Sequence, residues 1–272
     1  APRRAGGAGG DGGVAGAAGA GDGVELDEVS RALREALAQF EAEASRPEEE
    51  LELARAAALL ALHAEPALDP EAAVLGPLAR LGEAYRAYAT AGVPAEAPLP
   101  EQARLHALAR ALCSFMAAEG FAGCEPARYY RAENSLMNRV LADKRGIPIS
   151  LSLVYQEVGR AAGLPLRGAN FPGHFLLAFG SGEGAGLLDA YAGRVLSEAD
   201  AAETFSRLVG KPVRLDPGWS KAPAVPKLAF LRRMVRNLQV VYQRDGNLSQ
   251  AARVAQYAQT LDAAMAAKQV GE

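Results

Sequence analysis

Apolar positions recur every three or four residues through most of the first half of the chain. Leu26, Val29, Leu33, Leu37 and Phe40 share one face of a helix over residues 24–45. Pro47, followed by Glu48, Glu49 and Glu50, has the form of a first helical turn, where acids complement the macrodipole; that helix is expected to run to about His63. Asp69-Pro70 opens another that ends before Gly92, and Pro100 opens a third carrying Leu105, Leu108, Leu112, Phe115 and Met116. Asn134 is expected to cap a short helix over 135–144, with Arg145-Gly146 as its stop. Pro148 suits the first turn of the next helix, within 145–165, whose stripe is Leu151, Val154, Val158 and Ala161 and whose end is Gly163.

The period then changes. Three short apolar runs, 166–171, 174–179 and 186–190, are separated by Pro172-Gly173 and by the glycine-rich 180–184. They predict strands of a small antiparallel sheet, with Asn170 and Pro172 shaping the turn before His174. Residues 197–209 return to helix. The stretch 211–226 holds Pro212, Pro217, Pro223, Pro226 and the only tryptophan, Trp219, and is expected to be an ordered linker. Two helices follow, 227–243 and 247–268, joined by Asp245-Gly246 into a hairpin of the kind used in helical repeats, in one copy.

Composition narrows this little. Half of the 272 residues are hydrophobic, aromatics are 6%, and the net charge of −3 argues neither for nor against nucleic acid. Cys113 and Cys124 are too few for a disulfide framework or a zinc site, which predicts a reducing compartment. No apolar run reaches the roughly 18 residues of a membrane span, so a soluble chain is expected. Residues 1–23, rich in Gly and Ala, predict a disordered tail; its two early arginines also fit the remnant of a transit peptide. The compartment is then cytoplasm or an organelle stroma or matrix.

The run GFAGCEPARYYRAENSLMNRVLADKRGIPISLSLVYQEVGRAAGLPLRGANFPGHFLLAF, followed by LLDAY, resembles the SirB1 family of transglutaminase-like proteins. The upstream PEEELELARAAALLALHAEPALDP and the downstream KLAFLRRMVRNLQVVYQRDGNLSQAARVAQYAQ, which is similar to a tetratricopeptide pair, extend the resemblance over roughly residues 47–262. The resemblance implies an α+β fold: a helical N-terminal layer on a papain/transglutaminase-like core with a small antiparallel sheet, then a C-terminal helical hairpin. The corresponding segments are a tail (1–23), a core domain (24–210), a Pro-rich linker (211–226) and the hairpin (227–272).

In active relatives of that fold a cysteine at a helix N-terminus attacks a carbonyl, a histidine takes its proton and an aspartate orients the histidine. The resemblance puts His174 at the base position and Asp189 at the orienting position. Counting back from Gly163-Leu164-Pro165, the end of the nucleophile helix that the resemblance implies, the thiol slot falls at or beside Pro148, and proline has no nucleophile. The nearest hydroxyls are Ser150 and Ser152, with Ser150 closer to the helix start. Cys113 lies inside a helix, and Cys124 lies in the loop before Tyr129-Tyr130.

Two readings of His174 follow, a catalytic base or a structural or ligand-binding ring held by Asp189. His63 and His106 sit in helical patterns and are expected at the surface or core edge. Arg145 and Gly146 read either as an anion site or as a helix stop. The run 180–186 joins two strands and is a hairpin tip, not a nucleotide loop. No cofactor and no metal are expected.

Charge is uneven. Residues 207–244 hold nine Lys/Arg and one acid, whereas residues 25–52 hold ten acids and three Arg. Arg232, Arg233 and Arg236 therefore mark a docking surface or an internal match to the acidic helices. The leading expectation is a non-catalytic adaptor or accessory subunit that binds a protein partner; the alternative is a serine-dependent hydrolase or acyltransferase using Ser150 or Ser152 with His174 and Asp189. DNA is not expected, and RNA less so than protein, for want of interleaved aromatics.

Overall fold

A computed structural model describes residues 20–93, 99–171, 174–215, 219 and 223–270. The tail expected over 1–23 lies outside them up to residue 19, as does the turn at Pro172-Gly173. Among the described residues the N-terminal helices are α1 (Ala20–Ala44), α2 (Leu53–Ala61), a π-helical turn (Glu71–Leu75) that runs into α3 (Gly76–Gly92), and α4 (Glu101–Ala118). Then come β1 (Ala122–Gly123), α5 (Met137–Asp143), β2 (Arg145–Gly146) and α6 (Pro148–Arg160). Strands β3 (Arg167–Phe171), β4 (His174–Phe179), β5 (Gly186–Asp189) and β6 (Arg194–Leu196) lead to α7 (Glu198–Val209), α8 (Lys227–Arg244) and α9 (Leu248–Val270).

The four strands form an antiparallel sheet in the order β3-β4-β5-β6. All six residues of β4 are buried, because both of its faces are covered. Phe175, Leu177 and Phe179 join the main core with α6 and α8, while Leu176 and Ala178 join a second cluster with Phe205 of α7 and Trp219. Strand β6 escaped the sequence pattern because three residues are too few to show alternation. At α7 the Ser197 hydroxyl accepts from the Asp200 amide at 3.1 Å and the Asp200 carboxylate accepts from the Ser197 amide at 3.0 Å, a reciprocal cap.

Helix α2, with the sequence LARAAALLA, is buried on nearly every side, as an all-apolar helix must be. It starts at Leu53, later than the helix expected from Pro47. Glu48–Glu50 form a turn instead. The cause is Glu43: buried at 5% exposure, it accepts the Glu52 amide at 2.6 Å and faces Arg46 and Arg55, which holds the chain in a bend. Glu48 in turn accepts the Lys227 amide at 2.6 Å, at the start of α8.

Three further expectations change. Helix α1 begins at Ala20, inside the stretch assigned to the tail. Asn134 does not cap α5; that helix starts at Met137, and the Asn134 amide donates to the Arg128 carbonyl at 2.6 Å. Arg145-Gly146 is not the stop either. Lys144 takes the left-handed conformation (φ 53°), and Arg145-Gly146 pairs in parallel with Ala122-Gly123. Helix α6 starts at Pro148 and ends at Arg160, so it fills only part of the 145–165 stretch.

The hairpin α8–α9 is not left open. Helix α1 packs along α9, with Phe40 edge-on to Tyr257 at 4.8 Å, and α8 packs on α2 and α6. The apolar side of the hairpin is thus covered from within the chain. Leu228, Phe230, Leu231, Met234 and Val235 belong to the main core cluster.

Candidate functional site

Strands β4 and β5 bring His174 and Asp189 together. His174 Nε2 lies 3.0 Å from Asp189 Oδ2, and both residues are buried. Oδ1 of the same carboxylate accepts the amides of Tyr191 and Ala192, each at 3.0 Å, so the acid is fixed by its own following turn. A carboxylate held in this way orients the ring with Nε2–H as donor, which leaves Nδ1 as the acceptor of the neutral imidazole. Among the described residues Nδ1 has no hydrogen-bond partner.

Beside the dyad, Gly123 is the point of closest approach: a Cβ there would lie 2.7 Å from the Tyr191 ring. Only glycine admits that ring, whose hydroxyl donates to the Cys124 carbonyl at 2.5 Å. Tyr191 thus links the Asp189 turn to the β1–β2 pair and so to the entry of α6, where the Cys124 amide donates to the Gly146 carbonyl at 3.0 Å. Sequence reasoning did not pick out Tyr191; its one signal was its place two residues beyond Asp189.

The residues that could supply a nucleophile are otherwise engaged. Pro148 occupies the first turn of α6. Ser150 is fully buried; its hydroxyl donates to the Asn134 carbonyl at 2.6 Å and accepts the Ile147 amide at 3.1 Å. Gly146 must be glycine for the same reason, since a Cβ would lie 2.7 Å from Ser150 Oγ. Ser152 is also fully buried and donates to the Pro148 carbonyl at 2.7 Å.

Both thiols are buried and free. Burial, and then the Asp189 charge, push the Cys113 thiol up to about 12. Burial also raises Cys124, against a lowering contribution from its hydrogen bond with Tyr191. Neither has the electropositive setting that makes a thiolate. Tyr191 itself is pushed up to about 12, by burial first and then by Cys124. Among the described residues no group of His, Cys, Asp and Glu could hold a metal ion.

The other two histidines lie elsewhere. His63 is fully buried, not at the surface, between α2 and the hairpin: Nδ1 donates to the Leu60 carbonyl at 2.5 Å, and Nε2 lies 2.9 Å from the Tyr242 hydroxyl. His106 is half-buried and bonds the Gly184 carbonyl at 3.0 Å, holding the 180–186 hairpin tip. Arg145 donates to the carbonyls of Gly120 and Lys144, which favours structural anchoring over an anion site. A groove of about 1020 Å³ runs between α2, α3 and α6, lined by residues such as Leu53, Leu78 and Gln156, and includes neither His174 nor Asp189.

The three arginines of α8 part company. Arg232 pairs with Asp262 of α9 at 2.6 Å, inside the hairpin. Arg233 lies over the Phe175 ring, 5.2 Å from its centroid, and donates to the Asn170 side-chain oxygen. Arg236 is exposed. Among the described residues none of them forms an ion pair with the acidic N-terminal helices; the start of α8 is tied to that region by Lys227, whose amide donates to the Glu48 carboxylate at 2.6 Å and whose Nζ donates to the Leu51 carbonyl at 2.8 Å.

A family model described as the transglutaminase-like superfamily matches residues 73–236. The chain belongs to the transglutaminase-like superfamily. The matched region contains the dyad, both serines and the Pro148 slot. The chain is 36% identical over 130 residues to a UPF0162 protein of Xylella fastidiosa, covering 47% of this chain and 46% of that protein. It is 33% identical over 161 residues to a UPF0162 protein of Pseudomonas aeruginosa, covering 59% and 57%. It is also 48% identical over 63 residues to mouse F-box only protein 21, covering 23% of this chain and 10% of that protein. The chain spans about half the length of the UPF0162 relatives it matches. No solved structure matches it.

Proposed function

We propose that this chain is a non-catalytic adaptor or accessory subunit, a SirB1-like member of the superfamily that binds a protein partner through its transglutaminase-like cleft and C-terminal helices. One observation carries the reading. The hydroxyls of Ser150 and Ser152 are fully buried and donate to backbone carbonyls, Ser150 to Asn134 on the preceding turn and Ser152 to Pro148 of its own helix, and Pro148 stands at or beside the thiol slot that the resemblance implies. Among the described residues no hydroxyl or thiol is hydrogen-bonded to His174, and a base without a bonded nucleophile is not poised for acyl transfer, because geometry must be met before pKa matters. The 63-residue likeness to a much longer F-box protein also fits a module that serves inside larger assemblies. No described helix is long and apolar enough to cross a membrane. Two free cysteines suit a reducing compartment, either cytoplasm or an organelle stroma or matrix.

A serine-dependent hydrolase or acyltransferase is the second reading. It is favoured by the His174–Asp189 pair and its open Nδ1. Fluorophosphonate and iodoacetamide probes separate the two. The adaptor reading expects no labelling of Ser150 or Ser152, and no Cys124 labelling that depends on His174. Stoichiometric labelling of any of the three that disappears in His174→Ala would overturn it.

A further inference from the structure

Helix α8 turns one face away from the core. At about 100° per residue, Arg233, Arg236 and Arg244 fall within an arc of roughly 80° that extends about 16 Å along the axis. The segment that follows Cys124 lies against this face. The Arg244 guanidinium sits over the Tyr130 ring at 4.1 Å, Tyr129 meets Tyr130 edge-on at 5.2 Å, and Tyr129 is close enough to Arg233 to feel its charge. Arg128 and Arg131, on either side of the tyrosines, are exposed. Primary structure puts these two basic groups about a hundred residues apart, and the fold joins them.

Among the described residues none of these five arginines makes an ion pair. Glu125 and Glu133, both exposed, are the acids on the same segment. Arg233 is the most telling of the five. It is half-buried, yet among the described residues its neighbours are the Phe175 ring, the Asn170 amide oxygen and, near enough to act on its charge, Tyr129 and Arg236, with no carboxylate in an ion pair; burial makes its charged form less favourable. A desolvated guanidinium is ordinarily matched by a carboxylate. Here one N–H donates to Asn170, and among the described residues no other hydrogen-bond acceptor meets its five-donor fork. The face also adjoins the dyad: Asn170 pairs with Phe175 in the β3–β4 ladder, and the next rung pairs Phe171 with His174.

We propose that the face formed by Arg233, Arg236 and Arg244, with Arg128 and Arg131 at its edge, docks an acidic segment of a protein partner, a run of Asp and Glu side chains taken up by guanidinium forks. The proposal rests on the binding reading above and gives the partner its chemistry. An acidic peptide is favoured over RNA because five arginines gather here while Arg244 already covers one face of exposed Tyr130 and half-buried Tyr129 meets that ring edge-on, which leaves at most one ring face for a base.

The test is fluorescence anisotropy on the full chain with three probes: a labelled Glu/Asp-rich decapeptide, the same peptide with Gln/Asn, and a labelled oligouridine. The acidic peptide is expected to bind with an affinity that falls as salt rises, and the neutral peptide is not expected to bind. Arg233→Glu/Arg236→Glu/Arg244→Glu is expected to weaken acidic-peptide binding by at least about ten-fold. Because Arg233 is half-buried, Arg236→Glu/Arg244→Glu provides a second variant at exposed positions, expected to keep its melting temperature and still lose most of the affinity. Lys211→Glu/Arg214→Glu, a basic pair elsewhere, is expected to leave binding unchanged. No binding of the acidic peptide, equal loss in the Lys211/Arg214 control, or tighter binding of oligouridine would each overturn the proposal. Fluorophosphonate labelling that depends on His174 would overturn the adaptor reading and leave these results standing.

Discussion

At the scale of single residues, His63 carries a consequence for stability. Burial lowers its pKa from 6.5 to about 4, against the hydrogen bond to Leu60, with the Arg253 charge adding a smaller lowering. The Tyr242 hydroxyl can donate to Nε2 only while the ring is neutral, so the packed state selects the neutral form. As pH falls through 6.5 the unfolded chain takes up a proton that the folded chain refuses until about 4. Stability attributable to His63 is therefore intact above pH 6.5 and is lost progressively between 6.5 and about 4, on the order of 3 kcal/mol in all. Urea unfolding at neutral pH and near the lower end of that window measures it, and His63→Leu is expected to remove this part of the loss. An equal loss in the variant would assign the effect to other groups.

At the scale of elements, the entry to α6 is a clasp built from two separated pieces of chain. Ser150 joins the Ile147 amide on its own helix to the Asn134 carbonyl on the preceding turn, and Gly146 leaves the space for it. Ser150→Ala removes a buried donor and acceptor together and is expected to cost about 1–3 kcal/mol in urea unfolding. Unchanged stability in that variant, together with loss of a His174-dependent reaction, would show that the hydroxyl acts in chemistry and not in the clasp. This element also shows where sequence reading runs out. Pro148 as the first helical residue was legible because its missing amide and fixed φ suit only that position. The role of Ser150 was not, because its partner lies in a turn that pattern and spacing do not place. Asn134 was read as a side-chain cap for the same reason, whereas its backbone carbonyl serves α6.

At the scale of the whole molecule, α8 is bound to the core as well as to its hairpin partner. Its buried residues run from Leu228 to Tyr242, and they meet α2, α6 and the sheet as well as α9. Phe230 packs edge-on against Phe175 of β4 at 4.9 Å, and the Arg253 guanidinium of α9 donates to the His63 carbonyl at 3.1 Å. A polypeptide of residues 227–272 is therefore expected to show little helix by circular dichroism and no cooperative melting transition, since a short helix draws its stability mainly from the apolar face it buries. A sharp transition in the isolated segment would show that the hairpin is an autonomous unit.

What the sequence determined by itself is local and periodic. The helices after Asp69, Pro100, Pro148 and Ser197, the runs that became β3, β4 and β5, and the final helical pair all follow from apolar spacing and from Pro and Gly punctuation. The order of His174 and Asp189 in neighbouring strands was legible through motif resemblance. What only the tertiary structure decided depends on residues far apart in the chain. Glu43 delays α2 by capturing the Glu52 amide, α1 covers α9, and His63 is sealed beneath Tyr242. Arg232 turns to Asp262, while Arg233 and Arg244 meet rings contributed by Phe175 and Tyr130. The physical reason is that periodicity records which face of an element is apolar, but the partner of a charge or a hydroxyl is set by packing. A buried polar group takes the partner the fold brings to it, and nothing in its local pattern states which one that is.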